Sequence, residues 1–151
     1  MTIPTLGILT GISYVSGLDY FKGINERVLA NIPKHHVMSP NPPIIMASVD
    51  CDEYVHYLTL KSFVKVEEHL LTGVRKLVAA GCDILVIASN TGHISAPAVK
   101  REFPKLRVLH IADCCASQLK KQSFSRVGLI GTKPTMEEDY LKSRLRRHGI
   151  T

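Results

Sequence analysis

The sequence predicts an α/β protein, a three-layer αβα arrangement around a parallel sheet, and three observations carry that prediction. Short apolar runs alternate with longer stretches of helical periodicity, the pattern of βαβ units. The runs end in segments rich in glycine, serine, threonine and asparagine, the residues of turns and helix starts. A chain of 151 residues, 45% hydrophobic and 21% charged, has the size and balance of an ordinary globular domain with a sizeable core.

Taken in order, the first strand is expected at 5–11, within PTLGILTG, and leads into a helix at 16–31. PNPP at 40–43 reads as a surface loop that delivers the chain to a second strand at 43–49. The clearest helix spans 62–80: Val66, Leu70, Val74, Leu77 and Val78 recur at spacings of three and four, and Gly81 supplies a stop. A third strand at 83–88, a helix at 93–102 and a fourth strand at 106–110 follow. Asp113 marks the start of a helix at 113–122. A fifth strand is expected at 126–131, then a helix at 134–148 for which Thr135 and Glu138 give the start signal. This last unit reads in two ways. It is either the fifth βα unit of one domain, or residues 1–122 form one domain and 123–151 open a second, similar one. In the second case Val127, Leu129 and Ile130 need another partner, so a homo-oligomer or a packed fifth strand is expected.

Composition removes several classes of function. Every apolar run is under ten residues, too short to span a bilayer. The opening MTIPTLGILTG lacks the features of a secretory signal, so a cytoplasmic setting is expected. Cys51, Cys82, Cys114 and Cys115 fit neither a CxxC metal pattern nor a disulfide framework, and reduced thiols follow. The net charge of +6 owes much to Lys142, Arg144, Arg146 and Arg147, read as a solvated helix face. No aromatic-rich surface or zinc module accompanies them, so neither nucleic acid nor membrane is an expected partner. His35 and His36 lack a third ligand at suitable spacing, and no metal is expected.

In an open parallel sheet, ligands gather beyond the carboxyl ends of the strands. Those exits are Thr10–Ser16, Ser48–Asp50, Ser89–His93 and Gly131–Thr135, all rich in hydroxyl, amide and glycine groups. Such groups suit a small anion such as a carboxylate. The same residue types are also the common helix caps, so each alone says little.

Read together, the segments say more. LGILTGISYVSGLDYFKGIN, SVD at 48–50, LVIASNTGH at 85–93, LHIAD at 109–113 and VGLIGTKPTMEEDYLKSRLRRHGI at 127–150 resemble the aspartate/glutamate racemase family in order and spacing, over essentially the whole chain. The resemblance implies a cofactor-independent amino-acid racemase of two similar α/β domains, with an amino-acid or dicarboxylate ligand in the cleft between them. Inversion needs one group to remove the α-proton and another to protonate the opposite face, roles that two cysteines fill in the family. The first of these lies directly before Asn-Thr, where this chain has Ser89, a far poorer base unless activated. Asn90 and Thr91 match the pair that binds substrate carboxylate, and Thr132 and Thr135 match the GT-x-x-T motif of the same pocket. Gly11 and Ser13 match a segment lining the site, although the family usually has glycine-glycine-methionine where this chain reads Thr10-Gly11-Ile12. The second cysteine belongs to a downstream segment that these residues do not contain. The resemblance therefore implies either the N-terminal half of a racemase or a non-catalytic dicarboxylate-binding relative.

Five further positions bear on the site. Cys82 is expected as filler at the far end of the sheet. Cys51, near a strand exit, reads as structural. Cys114 and Cys115 open a helix whose dipole would favour a thiolate. His93 reads either as orienting the loop after the third strand or a substrate group, or as a packed or capping histidine.

Overall fold

A computed structural model describes residues 4–33, 37, 38 and 40–151. Strands β1 (Leu6–Thr10), β2 (Ile44–Ser48), β3 (Ile84–Ile87) and β4 (Arg107–Leu109) form one sheet in the order β2-β1-β3-β4. Every pairing is parallel, with Ile8 opposite Met46 on one side and Val86 on the other. The apolar runs are short and aliphatic because the sheet is covered on both faces, so successive residues of β1 and β3 are buried alike.

Helices α2 (Cys51–Thr59), α3 (Phe63–Ala79) and α4 (Ala96–Glu102) pack together on one face, α3 running over β1 and β2. Leu70, Val74 and Leu77 of α3 close the core against Leu9, Leu85 and Ile87. On the other face lie α1 (Tyr14–Asn31) and α5 (Ile111–Lys121), separated by a groove lined by Tyr20, Ile24, Val86 and Cys114. Because the chain leaves β1 towards one edge and β3 towards the other, the exits of these neighbouring strands diverge and open a crevice between them. Gly11 makes the tight departure from β1: its φ is +97°, and a Cβ there would stand 2.1 Å from the Val49 carbonyl oxygen.

Several expectations are corrected. Helix α2 replaces a stretch with no expected element; Asp50 caps it, accepting from the Glu53 amide at 3.0 Å. Residues 126–131 do not join the sheet. The Val127 amide donates to Thr151 O and the Thr151 amide to Ser125 O, each at 2.8 Å, while Val127 and Leu129 turn towards Leu141 and Leu145. The helix expected at 134–148 breaks at Glu138, whose ψ of 158° is extended, into α6 (Lys133–Glu137) and α7 (Asp139–Arg147). Thr135 does not cap it but lies inside α6. Asp113 does not start α5 either; His110 does, its Nδ1 accepting from the Ala112 amide at 3.2 Å.

The basic run of α7 is engaged rather than merely solvated. Arg144 and His148 both reach Asp113 Oδ1 at 2.8 Å, and Arg146 reaches Asp139. The two contacts to Asp113 fasten α7 to α5. No helix among the described residues is long and apolar enough to cross a membrane.

Candidate functional site

Directly after β3 the chain passes through Ser89 and Asn90 into a 3-10 turn, Thr91–Ser95. The turn is held from within by Ser89 Oγ, which accepts from the Gly92 amide at 3.2 Å, and by Ser95 Oγ, which donates to Gly92 O. Gly92 is required by space: a Cβ would lie 2.7 Å from Ile12 and 2.9 Å from Ile87. That close approach brings the β3 exit against the wall formed by the β1 exit. Ser16 of α1 adds a tie between the two, donating from Oγ to Ala88 O at 2.7 Å.

His93 completes the anchorage. Its ring is buried; Nδ1 lies 2.7 Å from Ser89 O, and Nε2 accepts from the Ile111 amide at 3.2 Å. The ring therefore carries its proton on Nδ1 and is neutral, since burial lowers its pKa. His110 stacks at a tilt, 4.4 Å away between centroids, and burial together with the neighbouring His93 pushes it down to about 3. The open question about His93 resolves towards orienting the loop. Neither nitrogen reaches the Ser89 hydroxyl, so this imidazole does not activate it.

The second wall comes from α6 and α7. Thr135 is buried, and its hydroxyl lies 3.0 Å from Thr132 Oγ1, 3.5 Å from Thr91 Oγ1 and 3.4 Å from the Tyr140 hydroxyl, which donates to it. A hydroxyl has one proton to give and two lone pairs to receive, so these three contacts fill its capacity. Thr135 is thus an internal organiser that joins Thr91 to Thr132 and Tyr140. Beneath Thr91 stands Tyr54 of α2, only 3% exposed, with its phenol oxygen enclosed beside the Thr91 hydroxyl. Burial raises its pKa; Tyr140 and Cys51 add to the rise, and the nearby Thr91 hydroxyl opposes it.

The structure thus brings Ser89, Asn90, Thr91, Thr132 and Thr135 into one continuous region, with Gly11 and Ser13 in the adjoining β1 exit. The alternative that these residues are helix caps fails for Ser13, Asn90 and Thr132, whose side chains make no capping hydrogen bond. Beyond Asn90 lies a mainly apolar cavity of about 490 Å³ between α5 and α7. Tyr54 and Tyr140 are participants that sequence reasoning missed. Both lie in helices, where a tyrosine reads as a packing residue, and only the tertiary contact with the threonines distinguishes them.

The cysteines sort by position. Cys82 is buried against Gly7 at the far end of the sheet, as expected. Cys51 lies near the β1 exit, its thiol 3.1 Å from Ile12 O. Cys114 and Cys115 are exposed on α5, and burial of its sulfur raises the pKa of Cys115 despite its place near the helix start. His35 and His36 lie outside the described residues.

A family model described as Asp/Glu/Hydantoin racemase matches residues 9–151. Among solved structures, a proposed Asp/Glu racemase from Yersinia pestis is 32% identical with a TM-score of 0.87, the alignment covering 97% of this chain and 62% of that one. An aspartate racemase homologue from Pyrococcus horikoshii is 26% identical with a TM-score of 0.80 and the same coverage. An aspartate racemase from Picrophilus torridus shares the fold, with a TM-score of 0.71 at 22% identity, over 98% of this chain and 61% of that one. The chain spans about three-fifths of the length of these relatives.

Proposed function

This chain belongs to the Asp/Glu/hydantoin racemase family, and on that premise we propose that it is the substrate-binding N-terminal part of a cofactor-independent aspartate/glutamate racemase. Residues 1–122 are its first domain, and 123–151 open a second, similar one. The observation that carries this reading is the pairing of Thr91 with Thr135, which joins the Ser89–Asn90–Thr91 exit to the Gly131–Thr135 motif in one polar region. Asn90 and Thr91 hold the substrate carboxylate, with Thr132, Gly11 and Ser13 lining the pocket and Thr135 fixing its shape. Ser89 stands beside the α-carbon, its oxygen fixed by the Gly92 amide. The opposite face is served by a group from the second domain. A cytoplasmic setting accords with the free cysteines, and a homo-oligomer is the assembly proposed with it.

A second reading has its own support. His93, the imidazole next to the Ser89 loop, is committed at both nitrogens to backbone groups and does not serve the Ser89 hydroxyl as a base. On this reading the site retains a dicarboxylate without inverting it. Solvent deuterium incorporation at the α-carbon of L- and D-aspartate and glutamate tests both. Exchange with either amino acid supports the racemase. Saturable binding with no exchange favours the binding domain, and neither binding nor exchange overturns both.

A further inference from the structure

Helix α1 carries two apolar faces, and the sheet accounts for one of them. Gly17 is buried against Thr10, and Tyr20 and Ile24 line the groove towards α5. A second row, Tyr14, Leu18, Phe21 and Leu29, falls within about a quarter of the helix circumference, because its members recur at multiples of three and four residues. Asn25 lies in the same row with its amide folded back onto Phe21 O at 2.8 Å. Together with Val15, the apolar members are between 42% and 73% exposed. They present on the order of 400 Å² of apolar surface along about 22 Å of helix, a size at which such patches commonly mark interaction surfaces.

We infer that this face of α1 is where two copies of the chain associate, with their α1 helices antiparallel about a two-fold axis midway between Phe21 and Glu26. The surface matches what such a pair needs. A two-fold contact uses the same patch on both copies, and the antiparallel arrangement sets Leu18 against Leu29 of the partner subunit. Charge selects the direction. Lys22 and Glu26 border the row on one flank, 3.8 Å apart and both exposed. In an antiparallel pair each flank meets its own counterpart, so Lys22 comes opposite Glu26 of the partner subunit and the reverse contact repeats across the axis. A parallel pair would turn that flank towards Ile24 and Val28, on the side that faces the sheet. An apolar centre of this size is about half of the ~800 Å² that a standard interface buries on each partner, leaving the rest to a polar rim. The inference gives the homo-oligomer proposed above its surface and is independent of the substrate reading.

The test is sedimentation equilibrium of the full chain beside Leu18→Lys, Lys22→Glu and Glu26→Lys, with circular dichroism to verify each fold. The unaltered chain should be a dimer. Leu18 is 56% exposed in a single copy, so Leu18→Lys should keep the helical spectrum while raising the dissociation constant about 100-fold. Lys22→Glu and Glu26→Lys each set like charges opposite one another and should weaken the dimer about 10-fold, less at high salt. An equimolar mixture of these two variants should restore the affinity, since each supplies the charges the other needs. A chain that stays monomeric up to about 0.1 mM would overturn this interface and the homo-oligomer together, with the substrate reading untouched. A dimer indifferent to all three substitutions would overturn the α1 face alone. Loss of the dimer in Leu18→Lys without restoration in the mixture would overturn the antiparallel arrangement.

Discussion

The imidazole of His93 donates from Nδ1 to the carbonyl oxygen of Ser89 at 2.7 Å, and the same ring takes a hydrogen bond from the Ile111 amide through Nε2. One side chain thus ties the loop after β3 to the first residue of α5. Removing it leaves two buried backbone groups unsatisfied and a cavity behind. His93→Ala should cost about 2–4 kcal/mol of stability, measured as a lower urea midpoint at unchanged slope. A midpoint equal to that of the unaltered chain would show that the ring only fills space.

The paired histidines also set a pH dependence. Burial depresses the pKa of His93, and His110 is pushed down to about 3. Both bind a proton in the unfolded chain below about pH 6.5 but remain neutral when folded. Their contribution is complete above that pH and is lost as pH falls from about 6.5 towards the folded values, with a slope of at most about 1.4 kcal/mol per pH unit for each ring. Urea unfolding at a series of pH values should show this decline, and His110→Asn should flatten part of it. Identical pH profiles for the two proteins would exclude His110 from the effect.

The strands and α3 were legible because aliphatic runs and a repeat of three and four reflect burial directly, with Gly81 closing the helix. Helix α2 was missed because Tyr54 is its one buried residue, so its apolar period is faint; the signal was Asp50 with Glu53 three positions on. Residues 126–131 look like a strand because Val127 and Leu129 alternate with Arg126 and Gly128. Their apolar sides instead line the cavity between α5 and α7, a tertiary placement that alternation cannot reveal. In the site, Ser89, Asn90, Thr91, Thr132 and Thr135 were marked by wording, but Thr135's place as the hub depends on contacts 44 residues apart.

Asp113 is the fastening between α5 and α7. The Arg144 guanidinium, and after it His148, holds this carboxyl down to about 2. A carboxyl depressed in this way stabilises the fold above its unfolded pKa of about 3.9, and that contribution is lost as pH falls towards 2. The partners are about one-third exposed, so solvent weakens the pair. Asp113→Asn should cost about 1 kcal/mol near neutral pH, less at high salt, and should remove the acid leg between about pH 4 and 2. A cost that does not respond to salt would point to packing rather than charge.

Thr135→Val keeps the shape of the side chain and deletes the hydroxyl that Thr91, Thr132 and Tyr140 share. With those groups left partnerless in a buried setting, stability should fall by about 1–3 kcal/mol. On the proposed function, affinity for aspartate or succinate should fall as well, because Thr91 loses its register with the Gly131–Thr135 segment. Thermal unfolding with and without ligand separates the two effects: a lower melting temperature with an unchanged ligand-induced shift would confine Thr135 to the fold.

Ser89 offers the most direct test of the chemistry. A serine hydroxyl at this point is not served by His93, whose nitrogens both bind backbone groups, whereas a thiol ionises far more readily without a base. Its surroundings already favour the charged form, since the Gly92 amide points at the side-chain oxygen from 3.2 Å and would point at a sulfur in its place. Ser89→Cys should therefore speed α-proton exchange in deuterated buffer by about 10²-fold or more, the range ascribed to a well-placed general base. Because one thiol serves one face, the gain should favour a single enantiomer of aspartate or glutamate, with label incorporated into the starting isomer before any inversion. The rate should rise with pH as the thiolate forms. If Ser89→Cys binds the amino acid as the unaltered chain does yet exchanges no faster, the hydroxyl is not beside the α-carbon, and the site is one of retention rather than proton transfer.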